Sequence, residues 1–260
     1  PIDAIRDTCF CHHGTMRLTD TVQKTRDGAI VYDTAILNQI SESAFTAAGW
    51  DTATVIGGAL RSGGRGNTLM VSDGSNEFVL RHYLRGGLPG RMVRDIYFWT
   101  GENETRSFAE FNLLARLQDL GLPVPVPVAA RYLRHGPIYR ADLLTQRIPD
   151  IQSLADRILA RPGDRAFWHG VGKTLYRFHA YGVDHADLNA YNVQIDANDA
   201  VVLLDFDRGQ VRDTGIWRQK NLARLHRSLQ KIKRLDKRIH FSKAEWNELL
   251  EGYFSASRSA

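Results

Sequence analysis

The stretch from Gly182 to Gly209 reads G-V-D-H-A-D-L-N-A-Y-N-V-Q-I-D-A-N-D-A-V-V-L-L-D-F-D-R-G. Asp187 and Asn192 fall in a loop-like octet, and an apolar run begins at Val193. Ala197-Asn198-Asp199 has the composition of a turn, because Asn and Asp side chains bond nearby backbone and tolerate left-handed φ. A second apolar run, Val201 to Leu204, ends at Asp205-Phe206-Asp207. The predicted order is loop, strand, hairpin turn, strand, acidic loop. A hairpin in that place lays the two loops side by side, so that Asp187, Asn192 and Asp205 share one site. Any one of these residues alone reads equally well as a turn former or a strand end; the joint pattern carries the argument.

The octet His185 to Asn192 fits H-x-D-L-x-x-x-N, the catalytic-loop pattern of kinases, and Asp205-Phe206-Asp207 stands where those enzymes keep Asp-Phe-Gly. The residue types suit phosphoryl transfer, which mainly requires positioning of an acceptor hydroxyl and neutralisation of phosphate charge through magnesium. Mg2+ takes hard oxygen ligands, which Asp205 and the amide oxygen of Asn192 supply. Asp187 is the carboxylate expected to orient the acceptor hydroxyl and receive its proton. His185 reads as a packed scaffold residue.

The 260 residues are 43% hydrophobic, enough for one large domain or two lobes. No run approaches the roughly 18 apolar residues of a membrane span, and the first residues form neither a basic nor an apolar signal, so a cytoplasmic protein is expected. Cys9 and Cys11 are the sole cysteines and are too close together for an ordinary staple. With His12 and His13 they lack a second ligand pair at zinc-site spacing, so residues 1–27 read as a leader with no ordered structure of its own.

From Gly57 to Tyr83 the sequence predicts strand, flexible loop, strand, turn and strand. Gly63, Gly64 and Gly66 would admit backbone amides to phosphate oxygens, although the spacing is not G-x-G-x-x-G. Arg81, in V-L-R, occupies the place of the lysine in V-A-I-K and offers a bidentate fork to phosphate. Its acidic partner should come from a helix over Thr105 to Leu120, with Glu110 chosen and Glu104 the alternative. Ile138 to Pro149 reads as a strand running into a hinge, where adenine would meet the backbone near Gln146 to Ile148. A helix over Ala166 to Ala180 then leads to His185.

After Asp207 there is no Ala-Pro-Glu and little room for a peptide-docking segment. A helix from Trp217 to about Asp236 carries Leu222, Leu225, Leu229, Ile232 and Leu235 on one stripe. Between Arg218 and Arg238 the chain holds nine Lys or Arg and one Asp, against +5 overall. This basic amphipathic helix reads either as a core helix with a solvated face or as a binder of an anionic membrane surface.

Four segments together, F-V-L-R-H-Y-L-R-G-G (Phe78 to Gly87), H-A-D-L-N-A-Y-N, L-L-D-F-D-R-G (Leu203 to Gly209) and W-R-Q-K-N-L-A-R-L-H-R-S-L (Trp217 to Leu229), resemble the 3-deoxy-D-manno-octulosonic acid (Kdo) kinases of the lipopolysaccharide kinase family. The resemblance covers the chain from about Gly28. It implies an α+β, two-lobed protein-kinase-like fold, with a small antiparallel-sheet N-lobe over 28–148 and a mainly helical C-lobe over 149–260. It further implies ATP and Mg2+, and transfer to the 4-hydroxyl of Kdo on a lipid A precursor at the cytoplasmic face of the inner membrane. Asp187 would then be the acceptor-positioning base, Arg81 the phosphate clamp, and Asn192 and Asp205 the metal ligands. Asp207, replacing the usual glycine, puts a loop switch in doubt. No nucleic-acid partner is expected and no oligomeric state is implied. An aminoglycoside- or choline-type phosphotransferase, or a nucleotide-binding pseudokinase adaptor, are the competing readings.

Overall fold

The computed structural model describes residues 19–56, 68–84 and 95–258. Strands β1 (Asp20–Lys24), β2 (Gly28–Asp33), β3 (Thr52–Val55), β4 (Thr68–Ser72), β5 (Glu77–His82), β6 (Tyr97–Phe98), β7 (Pro127–His135) and β8 (Ile138–Gln146) form an antiparallel sheet. Its order is β1-β2-β7-β8-β5-β4-β3, with β6 paired to the start of β8. The leader expected through residue 27 is thus too long, since Asp20–Lys24 pairs with β2 and Val22 packs on the core. One apolar residue in a polar pentapeptide is too weak a period to announce a strand. Gly63, Gly64, Gly66 and the Cys9–His13 cluster lie outside the described residues; the strand expected over 57–61 does too, and the described partner of β4 is β3.

Side-chain alternation gives the sheet two apolar faces. Ala29, Val31, Ala130 and Leu143 face helix α1 (Arg106–Asp119), which lays Phe108, Phe111, Leu114 and Leu117 against them. Ile30, Tyr32, Phe78, Leu80 and Leu144 face the other way, under Ile40 and Phe45 of the 34–50 segment. Because Phe78 and Leu80 take that second face, Arg81 emerges on the same side as α1.

Beyond β8 the chain is mainly helical: β9 (Gln152–Ser153), α2 (Leu154–Ala160), α3 (Arg165–Ala180), β10 (Val183–Asp184), β11 (Val193–Ile195), β12 (Val201–Leu203), β13 (Gln210–Val211), α4 (Trp217–Leu235) and α5 (Lys243–Arg258). The expected hairpin is the antiparallel pair β11 and β12, closed by Asp199 at φ 61 and by Asp196 Oδ1, which accepts from Asn198 N and Ala200 N at 2.8 Å each. The α3–α5 contact is close enough that a Cβ on Gly172 would lie 2.0 Å from Leu249 O, so glycine is required there. Helix α4 has the expected bounds, with Leu222, Leu225, Leu229 and Ile232 buried. Leu235, predicted on the buried stripe, is 77% exposed at the last turn.

Candidate active site

The sheet, the end of β8, the 185–192 loop and α4 enclose a cleft of about 1820 Å3. Arg81 enters it from β5. Its guanidinium is ion-paired at once to Glu110 of α1 and to Asp205, and Nη2 donates to Tyr83 Oη at 3.1 Å. Tyr83 Oη in turn donates to Glu110 Oε2 at 2.6 Å, and Phe206 N donates to Glu110 Oε1 at 3.0 Å. Glu110 is 3% exposed, whereas Glu104 is on the surface. Of the two candidates, Glu110 is the one that reaches Arg81.

The electrostatics follow from this packing. Burial works against the Arg81 cation, yet Glu110, Tyr83 and Asp205 together hold its pKa well above the ordinary value. Burial pushes the Glu110 carboxyl up, with Arg81 pulling the other way. Burial also opposes the Asp205 anion, but the charge and hydrogen bond of Arg81 prevail and its pKa is lowered. Asp205 therefore presents an ionised carboxylate.

The 185–192 loop is rigid by its own bonding. His185 is buried, and burial lowers its pKa. Its neutral ring donates through Nε2 to Leu204 O at 2.9 Å and accepts from Asp187 N at 3.2 Å through Nδ1. Phe206 packs on that ring, with centroids 4.8 Å apart. The Asp187 carbonyl accepts from Asn192 Nδ2 at 2.9 Å, while its carboxylate is 55% exposed to the cleft and accepts from Asn189 Nδ2 at 3.1 Å. With Nδ2 of Asn192 so committed, the amide has Oδ1 as its acceptor atom. Leu204 N donates to Asn192 O at 2.9 Å, which joins the end of the hairpin to the loop. Asp187, Asn192, Asp205 and Arg81 thus line one cleft, together with Gln146 at the end of β8 and Ile148 just beyond it. The donor set suits a hard divalent cation: an ionised carboxylate and an amide oxygen on adjoining loops.

Several residues of the site carry no signal in the kinase-like motifs. Arg106 Nη1 donates to Asp207 Oδ2 at 2.5 Å. Asn221 of α4 accepts from His185 N at 3.1 Å and donates to Asp184 Oδ1 at 2.9 Å; Ser228 Oγ accepts from Ala190 N at 3.1 Å. Arg224, between them, has Nη1 3.7 Å from Asp187 Oδ1. Asn221 alone was detectable, as a polar residue beside Leu222 and Leu225 on an apolar stripe. Helix α4 is therefore the backing of the catalytic-type loop, and Arg224, Arg227 and Lys231 of its basic face line the cleft.

A buried Arg–Glu pair, an ionised carboxylate after a hairpin, and an exposed carboxylate on an H-x-D-L-x-x-x-N loop in one cleft define a phosphotransferase centre of the kinase class. The comparisons give the family. The lipopolysaccharide kinase (Kdo/WaaP) family model matches residues 52–253, and the chain belongs to that family. A 3-deoxy-D-manno-octulosonic acid kinase of Stenotrophomonas maltophilia (strain K279a) is 45% identical over 208 residues, covering 79% of this chain and 82% of that protein. The protein of the same name from Xanthomonas euvesicatoria pv. vesicatoria (strain 85-10) is 46% identical with the same coverage. The chain is a kinase, and its family implies the use of ATP.

Proposed function

We propose that this kinase phosphorylates a 3-deoxy-D-manno-octulosonic acid residue in lipopolysaccharide biosynthesis, at the 4-hydroxyl and on a lipid A precursor. The observation that carries the reading is the meeting of Asp187, Asn192, Asp205 and the Arg81–Glu110 pair in one cleft of a chain with these relatives. In this reading the fold is the two-lobed kinase arrangement, with the sheet and α1 as one lobe to residue 148 and the helical remainder as the other.

Asp187 orients the acceptor hydroxyl and takes its proton as the oxygen attacks the γ-phosphorus; the bond to the β-phosphate oxygen breaks and ADP leaves. Arg81, whose two arms are taken by Glu110 and Asp205, keeps those carboxylates in register and sets its positive charge beside the nucleotide phosphates. Asp205 and Asn192 would hold Mg2+, which would supply neutralisation of charge on the phosphates. Adenine lies toward Gln146 and Ile148. A lipid-linked acceptor places the reaction at the cytoplasmic face of the inner membrane. Lys220, Arg234 and Lys237, which are exposed and outside the cleft lining, support contact with anionic headgroups.

The test is ADP release with Kdo-lipid A, free Kdo, an aminoglycoside and no acceptor, with the phosphorylated carbon located by phosphorus–proton NMR correlation. Release confined to Kdo acceptors is expected, abolished by Asp187→Ala with ATP binding retained. Equal release with the aminoglycoside would assign the chain to small-molecule resistance chemistry instead.

A further inference from the structure

The cleft wall opposite the sheet is more cationic than phosphoryl transfer at Asp187 requires. Arg224, Arg227 and Lys231 occur at i, i+3 and i+7 of α4, so they share one helix face, and a rise of about 1.5 Å per residue spreads them over roughly 10 Å. Ser228 on the same face is bonded to the backbone of Ala190, which fixes that face against the 185–192 loop. The stripe therefore begins beside the exposed carboxylate of Asp187 and runs outward along the cleft. Among the described residues, Arg227 and Lys231 form no ion pair, and Arg224 reaches only the 3.7 Å contact with Asp187. The nucleotide side of the cleft has its own cation in Arg81, which comes from β5 and is engaged with Glu110 and Asp205.

We propose that Arg224, Arg227 and Lys231 form the acceptor's anion subsite, with Arg224 and Arg227 taking the carboxylate of the sugar acid and Lys231 a further anionic group next to it. This rests on the reading of the acceptor as a Kdo residue and adds how that acceptor is recognised. The chemistry fits at each point. Guanidinium forks match a carboxylate bidentately, and lysine serves as a point charge for a phosphate or second carboxylate. A sugar acid held by its carboxylate has only a few orientations left, so the pairing selects which hydroxyl lies against Asp187. Neutral sugars of the same size lose the contact and leave three cations facing the cleft without a counter-charge.

The experiment compares free Kdo with its methyl ester as acceptors for the wild-type chain and for Arg227→Gln, Arg224→Gln and Lys231→Gln, with KM for ATP measured alongside as the control for folding and nucleotide binding. The wild type should prefer the acid by roughly tenfold or more in kcat/KM, as expected for a charge-assisted hydrogen bond. Arg224→Gln and Arg227→Gln should each lose most of that preference, chiefly through acceptor KM, with KM for ATP unchanged. Lys231→Gln should keep the preference on free Kdo, because Lys231 does not take the carboxylate, and should instead raise KM for Kdo-lipid A, the acceptor that brings phosphate beside the sugar. Arg227→Lys should recover part of the discrimination. If both arginine variants keep the wild-type preference, the carboxylate is bound elsewhere and the subsite is wrong. If the wild type turns over neither form and Kdo-lipid A as well gives no ADP, the reading of the acceptor itself fails and the subsite goes with it, an outcome visible before any variant is made.

Discussion

Arg106 and Glu110 stand one turn apart on the same face of α1, and each holds a different residue of Asp205-Phe206-Asp207: Arg106 pairs with the Asp207 carboxylate at 2.5 Å, and Glu110 accepts from Phe206 N at 3.0 Å. The residue that replaces the usual glycine thus ties the acidic loop to the helix that positions Arg81. An ion pair of this kind should hold the loop in one arrangement, where glycine would leave it free to turn.

The first prediction concerns that tie. Arg106→Ala and Asp207→Ala should each lower stability, and the double variant should fall short of their sum by about 1–2 kcal/mol, the coupling of a partly buried charged hydrogen bond. Asp207→Gly should also raise KM for ATP, because Asp205 loses its fixed neighbour. Additive denaturation energies across the cycle would mean that the contact contributes nothing to the fold.

Arg81 is the second. Removing it leaves Glu110 buried without a cation, which typically costs about 3 kcal/mol. Arg81→Met should therefore lower the melting temperature as well as raise KM for ATP, while Arg81→Lys, lacking the second arm of the fork, should recover only part of each. Calorimetry and ATP titration of both variants check this. An unchanged melting temperature for Arg81→Met would show that Glu110 finds another partner.

Much of this site was legible in the sequence because its spacing is set by the hairpin β11–β12, whose turn chemistry and apolar runs are local. Asp187, Asn192 and Asp205 meet because that hairpin forms as read. The choice of Glu110 over Glu104 was legible too, since Glu110 falls among Phe108, Phe111 and Leu114 on the buried helix face. What was not legible depends on tertiary docking. The charge of α4 reads the same whether its arginines face solvent or a cleft, and only the bonds of Asn221 and Ser228 to the 185–192 loop decide its rotation. Asp207 as a partner of Arg106, about a hundred positions away, has no local signature at all. Helix α5 has helical spacing in Trp246, Leu249, Leu250 and Tyr253 but carries no motif that ties it to the site.

The third prediction is pH dependence from His179. This ring is buried, with Nδ1 2.8 Å from Tyr253 Oη and its edge against Trp217, and burial lowers its pKa from 6.5 to about 4. A depressed folded-state value means that the unfolded chain takes up the proton first as pH falls. The contribution is fully present above about pH 6.5 and is lost progressively toward pH 4, amounting to about 3 kcal/mol. Urea unfolding of the wild type between pH 4 and 7 should show this fall, and His179→Gln should show a shallower one. Identical slopes for the two proteins would place the acid sensitivity elsewhere.

The last prediction separates membrane recruitment from acceptor binding along α4 and the turn that follows it. Arg224, Arg227 and Lys231 line the cleft, whereas Lys220, Arg234 and Lys237 are exposed away from it. Each basic side chain near an anionic surface contributes on the order of 1 kcal/mol, weakened by salt. Changing Lys220, Arg234 and Lys237 to Gln should therefore release the protein from vesicles containing anionic lipid and slow turnover on a membrane-embedded acceptor. Turnover on free Kdo should stay near wild type, because none of the three reaches the site. Arg227→Gln should do the reverse, sparing vesicle binding and weakening the use of both acceptors. Co-sedimentation at low and high salt, beside the two activity assays, distinguishes the patterns. If the outward triple variant still sediments as the wild type does, these charges do not recruit the protein, and attachment must come from the acceptor held in the cleft or from another surface.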